Sequence, residues 1–324
     1  MSTLIPRVVV ITRETEYELL LARHATCGQA EFFLRERGQS IDQIEQRHKH
    51  HEATLHKVIS SIPTDWRRNQ VKRQELDRFL FEPEDLVIAV GQDGLVANTA
   101  KYLDGQRVIG VNPDKDLYDG ILVPFSGTEA SNILVPAMYN DIDVQYRTMA
   151  QVDLDDGQRL FALNELFIGH HSHQSARYTI GTADRKEHHS SSGVIVTTGT
   201  GATGWARSIH RERHDKLHLP SPEDETLAFY VREAFPSIAT GTHITSGLID
   251  KGQTLEIRSE LNEGGVIFGD GIEADYLSFN WGMRATFTVA RNKLSMVQPA
   301  AITISEKGEK MVARGRLELP TSAL

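Results

Sequence analysis

Short apolar runs alternate with amphipathic stretches along the first third of the chain. Residues 7–12, 86–90 and 106–111 form short, mostly β-branched apolar runs, a pattern typical of parallel strands covered on both faces. Residues 14–38 and 40–62 instead show apolar positions at helical spacing. Strands separated by helices predict a mostly parallel sheet with helices on both faces, which is a Rossmann-like α/β arrangement.

The pattern changes near residue 128, where helical spacing fades and short strand-like runs dominate. Runs at 146–154 and 159–168 flank Asp155-Asp156-Gly157, a hairpin signal. Similar runs follow at 177–182, 194–198, 227–231, 254–259, 265–268 and 285–290. They predict an antiparallel, β-rich, sandwich-like second domain.

The chain is therefore expected to combine α/β and β architecture in two domains. An α/β domain is predicted over residues 1–127 and a β-rich domain over residues 128–300. Residues 301–324 show no periodicity that ties them to either domain, and we expect a disordered tail there.

Composition narrows the class of protein. A chain of 324 residues with 40% hydrophobic content can bury a substantial core, and its net charge of −9 argues against a general nucleic-acid or anionic-membrane binder. Cys27 is the single cysteine, so an intrachain disulfide is excluded and a reducing compartment fits best. The start lacks a secretory signal pattern, and nothing approaches the ~18 consecutive apolar residues of a membrane span. The expectation is a soluble, cytoplasmic protein.

The first motif with chemical content is Gly91-Gln-Asp-Gly94, directly after the apolar run 86–90. It presents Asp93 at the carboxyl end of a strand, where open α/β sheets bind their ligands. Gly91 and Gly94 carry no Cβ, so the backbone can turn sharply and approach a ligand closely. Beside a phosphate, Asp93 could accept a hydroxyl proton or help to hold Mg²⁺. The alternative is an Asx turn that closes an ordinary strand–helix connection.

A second motif, Gly199-Thr-Gly-Ala-Thr-Gly204, matches the G-x-G-x-x-G dinucleotide fingerprint. Thr198, Thr200 and Thr203 place hydroxyls between the glycines, and Trp205 could stack on a ring. The motif lies in strand-rich sequence, and no second βαβ unit follows. A nicotinamide-dependent oxidoreductase is therefore the least favoured of the functional hypotheses, and an ordinary Gly/Thr-rich turn before a helix is the structural alternative.

The third motif is the pair Asn164 and Glu165, which interrupts an otherwise apolar strand. Adjacent strand residues point to opposite faces unless a bulge re-aims one of them. Buried polar groups of this kind must be hydrogen-bonded, to protein or to ligand. An amide can bond a base edge and a carboxylate can accept from ribose hydroxyls, so the pair could read a nucleoside; a purely structural role is the alternative.

Four motifs in this order resemble the NAD kinase family, and in detail its mitochondrial-type branch. Gly91-Gln-Asp-Gly-Leu95 resembles the family's G-G-D-G-T loop, and Ala162-Leu-Asn-Glu165 its A-L-N-E element. Residues 198–205 resemble its T-G-T-G-S-x-A-W segment, and Gly269-Asp270-Gly271 falls where the family has a D-G pair. The resemblance extends from about residue 7 to residue 297, and residues 108–112 also match.

The resemblance implies a reaction and its participants. NAD would bind between an α/β and a β-rich domain of a homodimer or homotetramer, and its adenosine-ribose 2′-hydroxyl would be phosphorylated by ATP or polyphosphate with Mg²⁺, giving NADP. Asp93 would act as the base, and no dedicated protein metal site is expected. The residues that the resemblance and the motifs assign to nucleotide binding are Gly91, Gln92, Gly94, Asn112, Asn164, Glu165, Thr198, Thr200, Gly201, Thr203, Gly204, Trp205 and Asp270.

This chain departs from the family pattern at several positions. Gln92 replaces a glycine of the loop, and Leu95 replaces a threonine at the start of the following helix. Ser192 stands where many bacterial relatives have an aspartate. None of these changes removes the presumed base. The alternatives are a non-catalytic NAD(P)-binding protein of the same fold, or a related kinase with a different acceptor; the Asn164–Glu165 pair favours a dinucleotide over a lipid.

Overall fold

The computed structural model describes residues 5–115, 119–182, 185–214 and 216–299. The predicted tail, residues 301–324, lies outside the described residues. The α-helices in the described ranges are α1 (Glu16–His24), α2 (Cys27–Arg35), α3 (Ile41–Ser61), α4 (Asp93–Ala100), α5 (Gly127–Met138) and α6 (Trp205–Glu212). No helix in these ranges is long and apolar enough to cross a membrane.

Sixteen strands are found in the same ranges. They are β1 (Arg7–Thr12), β2 (Arg67–Lys72), β3 (Leu86–Val90), β4 (Arg107–Val111), β5 (Val144–Leu154), β6 (Arg159–Ala162), β7 (Glu165–His170), β8 (Ala176–Gly181), β9 (Lys186–Ser191), β10 (Val194–Thr197), β11 (Thr226–Val231), β12 (Ser246–Asp250), β13 (Leu255–Ser259), β14 (Gly265–Gly269), β15 (Tyr276–Ser278) and β16 (Arg284–Val297). Two short 3₁₀ segments, Arg73–Arg78 and Gly201–Thr203, complete the regular structure of these ranges.

The first sheet begins with four parallel strands in the order β2-β1-β3-β4. Both of its faces are covered, which explains why the strands read as continuous apolar runs. Along β1, Val8 and Val10 pack with α3 and α5, whereas Val9 and Ile11 pack with α4. The predicted Rossmann-like α/β arrangement is confirmed.

The second sheet has six antiparallel strands in the order β12-β11-β10-β7-β14-β15. It packs against β5, β8, β13 and β16 of the first sheet to form the largest apolar core. Ile168 and Phe229 from one sheet meet Val152 and Phe287 from the other. The predicted β-rich sandwich is therefore present, and the hairpin at Gly157 joins β5 to β6 with that glycine at φ +91°.

One long strand connects the two architectures. β16 pairs antiparallel with β5 and β13, and its end runs parallel to β4 at Ser295 and Met296. The first sheet thereby continues from the parallel strands into the sandwich as a single ten-stranded sheet. The division predicted after residue 127 remains a prediction, and β16 is the strand that crosses it.

The structure corrects two helical predictions. The single helix expected over residues 14–38 is two helices, because Ala25 adopts a left-handed φ of 60° and the Thr26 hydroxyl caps the start of α2. Helical spacing was expected to fade near residue 128, yet α5 occupies residues 127–138. Its start is a capping box in which Ser126 and Glu129 bond each other's backbone.

Two further differences concern strands. The run 159–168 is two strands, because the chain bends at Leu163 and Asn164 and passes from the first sheet to the second. The strands β2, β9, β12 and β15 were not predicted. β2 lies at a sheet edge with only Val71 buried, and β9 likewise forms an edge, so neither has an apolar run that sequence could show.

Candidate functional site

Asp93 is the first residue of α4 and lies at the carboxyl end of β3. The Gly91 N–H donates to Val111 O at 2.9 Å, which ties the connecting loop to β4. The half-buried Asp93 carboxylate accepts the N–H groups of Leu122 and Ile121, at 2.8 and 3.2 Å. The predicted position at the sheet edge is therefore observed, and the carboxylate orientation is fixed by backbone groups.

The glycines of this loop do not serve backbone conformation. Neither Gly91 nor Gly94 has a positive φ. A Cβ on Gly94 would meet nothing within 4 Å, and one on Gly91 would approach only the Leu95 side chain, at 3.1 Å. Residues other than glycine could therefore make this turn. What Gly94 provides is the absence of a side chain at the start of α4.

Asn112 supports the segment that holds Asp93. It is 3% exposed, its Oδ1 accepts the Asp114 N–H at 2.9 Å, and its own N–H donates to Phe125 O at 2.7 Å. The bond between the Asn112 side chain and the Asp114 N–H is an Asx turn directly after β4. The predicted contact of Asn112 with a nucleotide stays a prediction.

Arg147 on β5 is a site residue that the sequence reasoning missed. It is 6% exposed, and its Nη1 donates to Thr200 Oγ1 at 3.4 Å. Its buried Nε has no hydrogen-bond partner among the described residues. Burial lowers the pKa of Arg147, while the charges of Asp93 and Glu223 act in the opposite direction. A charged residue inside a predicted buried strand was the signal that could have found it.

Asp270 organises the bend between β6 and β7. Its carboxylate accepts the N–H groups of Asn164 and Leu163, at 2.7 and 3.1 Å, and its own N–H donates to Glu165 O at 3.0 Å. Its φ of 55° is in the left-handed region, which costs a non-glycine residue conformational energy. Burial raises the pKa of Asp270 to about 6, although the nearby ammonium of Lys101 and these N–H groups oppose that shift.

Glu165 lies next to this second carboxylate. Burial, and then the charge of Asp270, raise the pKa of Glu165 to about 7. Leu166 and Ile168 point into the sandwich core, so Glu165 and Phe167 share the opposite face of β7. Two neighbouring carboxylic groups with raised pKa values are a mark of a functional site.

Hydrogen bonds of the buried Thr198 hold the loop at residues 198–203 in place. Thr198 is fully buried, its N–H donates to Asn164 O at 2.9 Å, and its hydroxyl accepts the N–H groups of Thr200 and Gly201. A Cβ on Gly201 would lie 2.3 Å from Asn164 O, and one on Gly199 would lie 1.9 Å from Ser221 O. These glycines therefore permit close approach within the protein.

The strand pairing beside this loop argues against the oxidoreductase hypothesis. The strand before the glycine motif, β10, is antiparallel to both of its neighbours, β7 and β11. A dinucleotide fingerprint of the G-x-G-x-x-G type belongs to a parallel βαβ unit. Residues 199–204 thus match the sequence pattern but lack the parallel βαβ unit in which that pattern binds a dinucleotide.

Trp205 begins α6 directly after Gly204 and is 38% exposed. Its ring stacks on Phe167 with centroids 5.9 Å apart and an interplanar angle of 11°, and the Arg232 guanidinium lies 4.8 Å from the ring. The Thr203 hydroxyl donates to Thr200 O at 3.1 Å. Trp205 borders a cavity of about 700 Å³ on the outer face of the second sheet.

Gln92 points to a second, smaller cavity of about 90 Å³. Its Oε1 accepts from Arg13 Nη2 at 2.7 Å, and Arg47 and His48 line the same space. The Thr15 hydroxyl bonds His48 Nδ1 at 2.9 Å. Arg13, Arg47 and His48 thereby lie around the substituted position of the glycine loop, together with the acids Glu16, which pairs with Arg47 at 3.4 Å, and Asp114.

Most of the predicted residues thus fall into four groups. Thr200 bonds Arg147, whose pKa is lowered by burial and raised by the charge of Asp93, while Asn164, Glu165, Asp270, Thr198 and Gly201 form one hydrogen-bonded cluster. Gln92 faces the basic cavity, and Trp205 faces the aromatic one. No group of three or more His, Cys, Asp or Glu side chains able to hold a metal occurs within the described ranges.

Comparison with known proteins identifies relatives. No protein-family model matches the chain. "NAD kinase 2, mitochondrial" from Homo sapiens is 27% identical over 311 residues, covering 70% of this chain and 70% of that protein. The protein of the same name from Rattus norvegicus is 28% identical over 256 residues, covering 63% of this chain and 60% of the relative. That from Xenopus tropicalis is 26% identical over 273 residues, covering 63% and 64%.

A solved structure shares the fold. The crystal structure of yeast NADH kinase complexed with NADH matches with a TM-score of 0.60 and 14% identity, covering 92% of this chain and 85% of that one. The fold match extends over both the parallel sheet and the sandwich.

Proposed function

Because the chain belongs to the NAD kinase family, we propose that it phosphorylates the adenosine-ribose 2′-hydroxyl of NAD, with ATP or polyphosphate as donor, to give NADP. A NAD kinase-like phosphotransferase activity is supported by the three curated relatives and by the fold. The single observation that carries the proposal is the Asp93 carboxylate, fixed by the amides of Ile121 and Leu122 at the carboxyl end of β3.

The chemical step requires one proton acceptor. The ribose O–H bond breaks and its proton passes to Asp93, the ribose oxygen forms a bond to phosphorus, and the bond from phosphorus to the leaving ADP or shortened polyphosphate breaks. A carboxylate oxygen has two acceptor sites, so each Asp93 oxygen that already accepts an amide N–H can still face a hydroxyl.

The β-rich segment supplies the acceptor side of the site. Ionised Glu165 can accept from ribose hydroxyls, and the Asn164 side chain can bond a base edge. The exposed ring of Trp205 offers a stacking surface beside the aromatic cavity. Asp270 acts through the bend, because its carboxylate holds the backbone of Leu163 and Asn164.

The donor side is proposed to be the basic cavity beside Gln92. Arg13 and Arg47, which bond Gln92 and Glu16 in the ligand-free structure, would exchange these partners for the phosphate oxygens of ATP or polyphosphate. Mg²⁺ usually binds through one or two carboxylates together with substrate phosphates. Asp93 is the carboxylate that would hold Mg²⁺ if it does not take the ribose proton, and the metal would then neutralise charge on the transferred group.

The decisive experiment compares wild type with Asp93→Asn. Wild type incubated with NAD, ATP and Mg²⁺, or with polyphosphate in parallel, is expected to yield NADP by mass analysis. Loss of a general base lowers turnover by about 10²- to 10⁴-fold, so Asp93→Asn should lose product while calorimetric NAD binding persists. Asp42→Asn is the matched control, because Asp42 is also an acidic residue in the first turn of a helix, α3, and lines neither cavity.

A non-catalytic dinucleotide-binding protein is the second candidate function. It is favoured by the Gln92 side chain, which fills the loop where the family has glycine and is held by Arg13. Calorimetric NAD binding by wild type with no product from either donor would select it. Product from another alcohol but not from NAD would select a kinase with a different acceptor. A homodimer or homotetramer and a cytoplasmic location remain proposals.

A further inference from the structure

Arg147 carries a buried positive charge whose hydrogen-bonding capacity is almost unused. A guanidinium has five N–H donors, and the described contact of Arg147 is one long bond of 3.4 Å to Thr200. The residue is 6% exposed, its Nε is unpaired among the described residues, and no ion pair within the described ranges includes it.

This arrangement is costly for a folded protein. An uncompensated charge in the interior loses its hydration without gaining an equivalent partner. By contrast, the buried carboxylate of Asp85, the residue just before β3, accepts two guanidinium N–H groups of Arg7, at 2.6 and 2.5 Å. Arg147 therefore has the features of a group whose hydrogen bonds and charge are satisfied by a bound molecule and not by the protein.

The surroundings of Arg147 indicate which kind of ligand would accept its hydrogen bonds. The guanidinium bonds Thr200 of the loop at residues 198–203, and burial lowers its pKa, an effect that Asp93 opposes more than the other acidic groups do. A planar fork of N–H donors matches the oxygen atoms of a phosphoryl group. A phosphoryl group passing to a hydroxyl held at Asp93 would be attracted by the same Arg147 charge.

We propose that Arg147 binds the phosphoryl group under transfer, through its unpaired Nε–H and neighbouring N–H groups, while the Thr200 hydroxyl keeps the guanidinium in place. The proposal rests on the proposed function and adds to it a residue that touches the reacting group. Negative charge on the phosphoryl oxygens is then met by a fixed, water-excluded cation, the kind of electrostatic stabilisation that favours a transition state.

The test uses the full chain and the variants Arg147→Met, Arg147→Lys and Arg107→Met. Arg107 is the matched control, because its Nη1 donates to Ala137 O at 2.7 Å and its role is structural. The ligand probe is tripolyphosphate, measured by its effect on the unfolding temperature and by calorimetry. NAD binding is measured separately, because the diphosphate of the dinucleotide is the other source of phosphoryl oxygens.

The expected results separate a binding role from a packing role. Without ligand, Arg147→Met should unfold at the wild-type temperature or above it, whereas Arg107→Met should unfold below it. Arg147→Met should lose stabilisation by tripolyphosphate, keep its affinity for NAD and lower kcat by about 10²- to 10³-fold, with Arg147→Lys intermediate.

Two outcomes would overturn the assignment. One is a ligand-free Arg147→Met protein that is destabilised like Arg107→Met while tripolyphosphate still stabilises it. The other is loss of NAD affinity with tripolyphosphate binding intact, which would place the dinucleotide diphosphate at Arg147. If wild type makes no NADP, the proposed function fails, yet the tripolyphosphate comparison still decides whether Arg147 binds a phosphoryl anion.

Discussion

At the scale of single residues, the site depends on two carboxylic groups that are both difficult to ionise. Glu165 and Asp270 are neighbours, and burial together with their mutual repulsion opposes a second negative charge. With a pKa of about 7, Glu165 in the ligand-free fold is divided between the protonated and ionised forms near neutral pH. A nucleotide whose ribose hydroxyls donate to this side chain would favour the ionised form, so binding and proton release should be coupled.

The first consequence is a pH dependence of NAD affinity. Glu165 has a raised pKa of about 7, so it is neutral below that pH and NAD affinity should fall as the pH drops from 8 to 6. Calorimetry in buffers with different ionisation enthalpies should detect proton release on NAD binding near pH 7. Glu165→Gln should show weaker binding with little dependence on pH over this interval; a wild-type affinity that is constant from pH 6 to 8 would contradict the assignment.

The same raised pKa has a stability counterpart with a definite sign. A neutral Glu165 suits the ligand-free fold, so its contribution is fully present below the unfolded pKa near 4.5. That contribution is lost as the pH rises through about 7, because the folded state then has to ionise a buried group. The free energy of unfolding of ligand-free wild type should decline relative to Glu165→Gln over this interval.

At the scale of elements, the bend between β6 and β7 is the structural centre of the acceptor side. The Asn164 backbone uses its N–H for Asp270 and its carbonyl for Thr198, so three separate segments meet at one residue. Gly201 packs its Cα against that carbonyl. Because the contact is backbone against backbone, no side-chain rotation can relieve an added methyl group.

Gly201→Ala tests this contact. The added Cβ would lie 2.3 Å from Asn164 O, so overpacking should lower the free energy of unfolding by about 1–3 kcal/mol. Urea denaturation followed by circular dichroism measures the change. Gly28→Ala is the control, because a Cβ at that helical position in α2 meets nothing within 4 Å and alanine favours helix. Equal stability of the two variants would show that the loop shifts freely.

The elements that could be predicted from the sequence are those whose own residues show the apolar pattern of a buried element. The strands β1, β3 and β4 are continuous apolar runs because helices cover both faces. The edge strand β2 was missed because its backbone pairing comes from β1, while its side chains are mostly solvated. The break at Ala25 was missed because a left-handed alanine has no sequence signature.

The candidate site was predictable to the extent that its parts follow strands. The position of Asp93 follows from a strand ending before a helix, and the motif order pointed to Asn164, Glu165 and Asp270. Arg147 could not be placed, because its neighbours Asp93 and Thr200 are 54 and 53 residues away in the chain. Only the folded sheet, in which β5 pairs with β16, brings Arg147 to Thr200 and under the influence of the Asp93 charge.

At the scale of the whole molecule, the proposed function draws groups from both architectures into one nucleotide site. Asp93 and Gly94 come from the α/β part, and Glu165 and Trp205 come from the sandwich. Lys101 at the end of α4 also donates to Gly269 O at 2.7 Å, a second link between the two parts. A ligand that contacts both parts should therefore stabilise the entire fold and not one half of it.

NAD is expected to protect both parts from unfolding together. At a free NAD concentration 100 times its Kd, the free energy of unfolding should rise by about 2.7 kcal/mol. Hydrogen exchange should slow both at residues 91–100 and at residues 198–206, since the ligand lies between them. Protection confined to one of the two segments would contradict a shared site, and Asp93→Asn should retain protection of both.

The long strand that joins the sheets sets the order in which the nascent chain can complete its fold. β4 receives its second neighbour from residues near the end of β16, about 190 positions later. During synthesis the N–H and C=O groups of β4 that pair with β16 therefore stay unpaired until nearly all the described chain has left the ribosome. Such an open edge is a site for premature association between growing chains, so protection by a chaperone during translation should raise the yield of this protein.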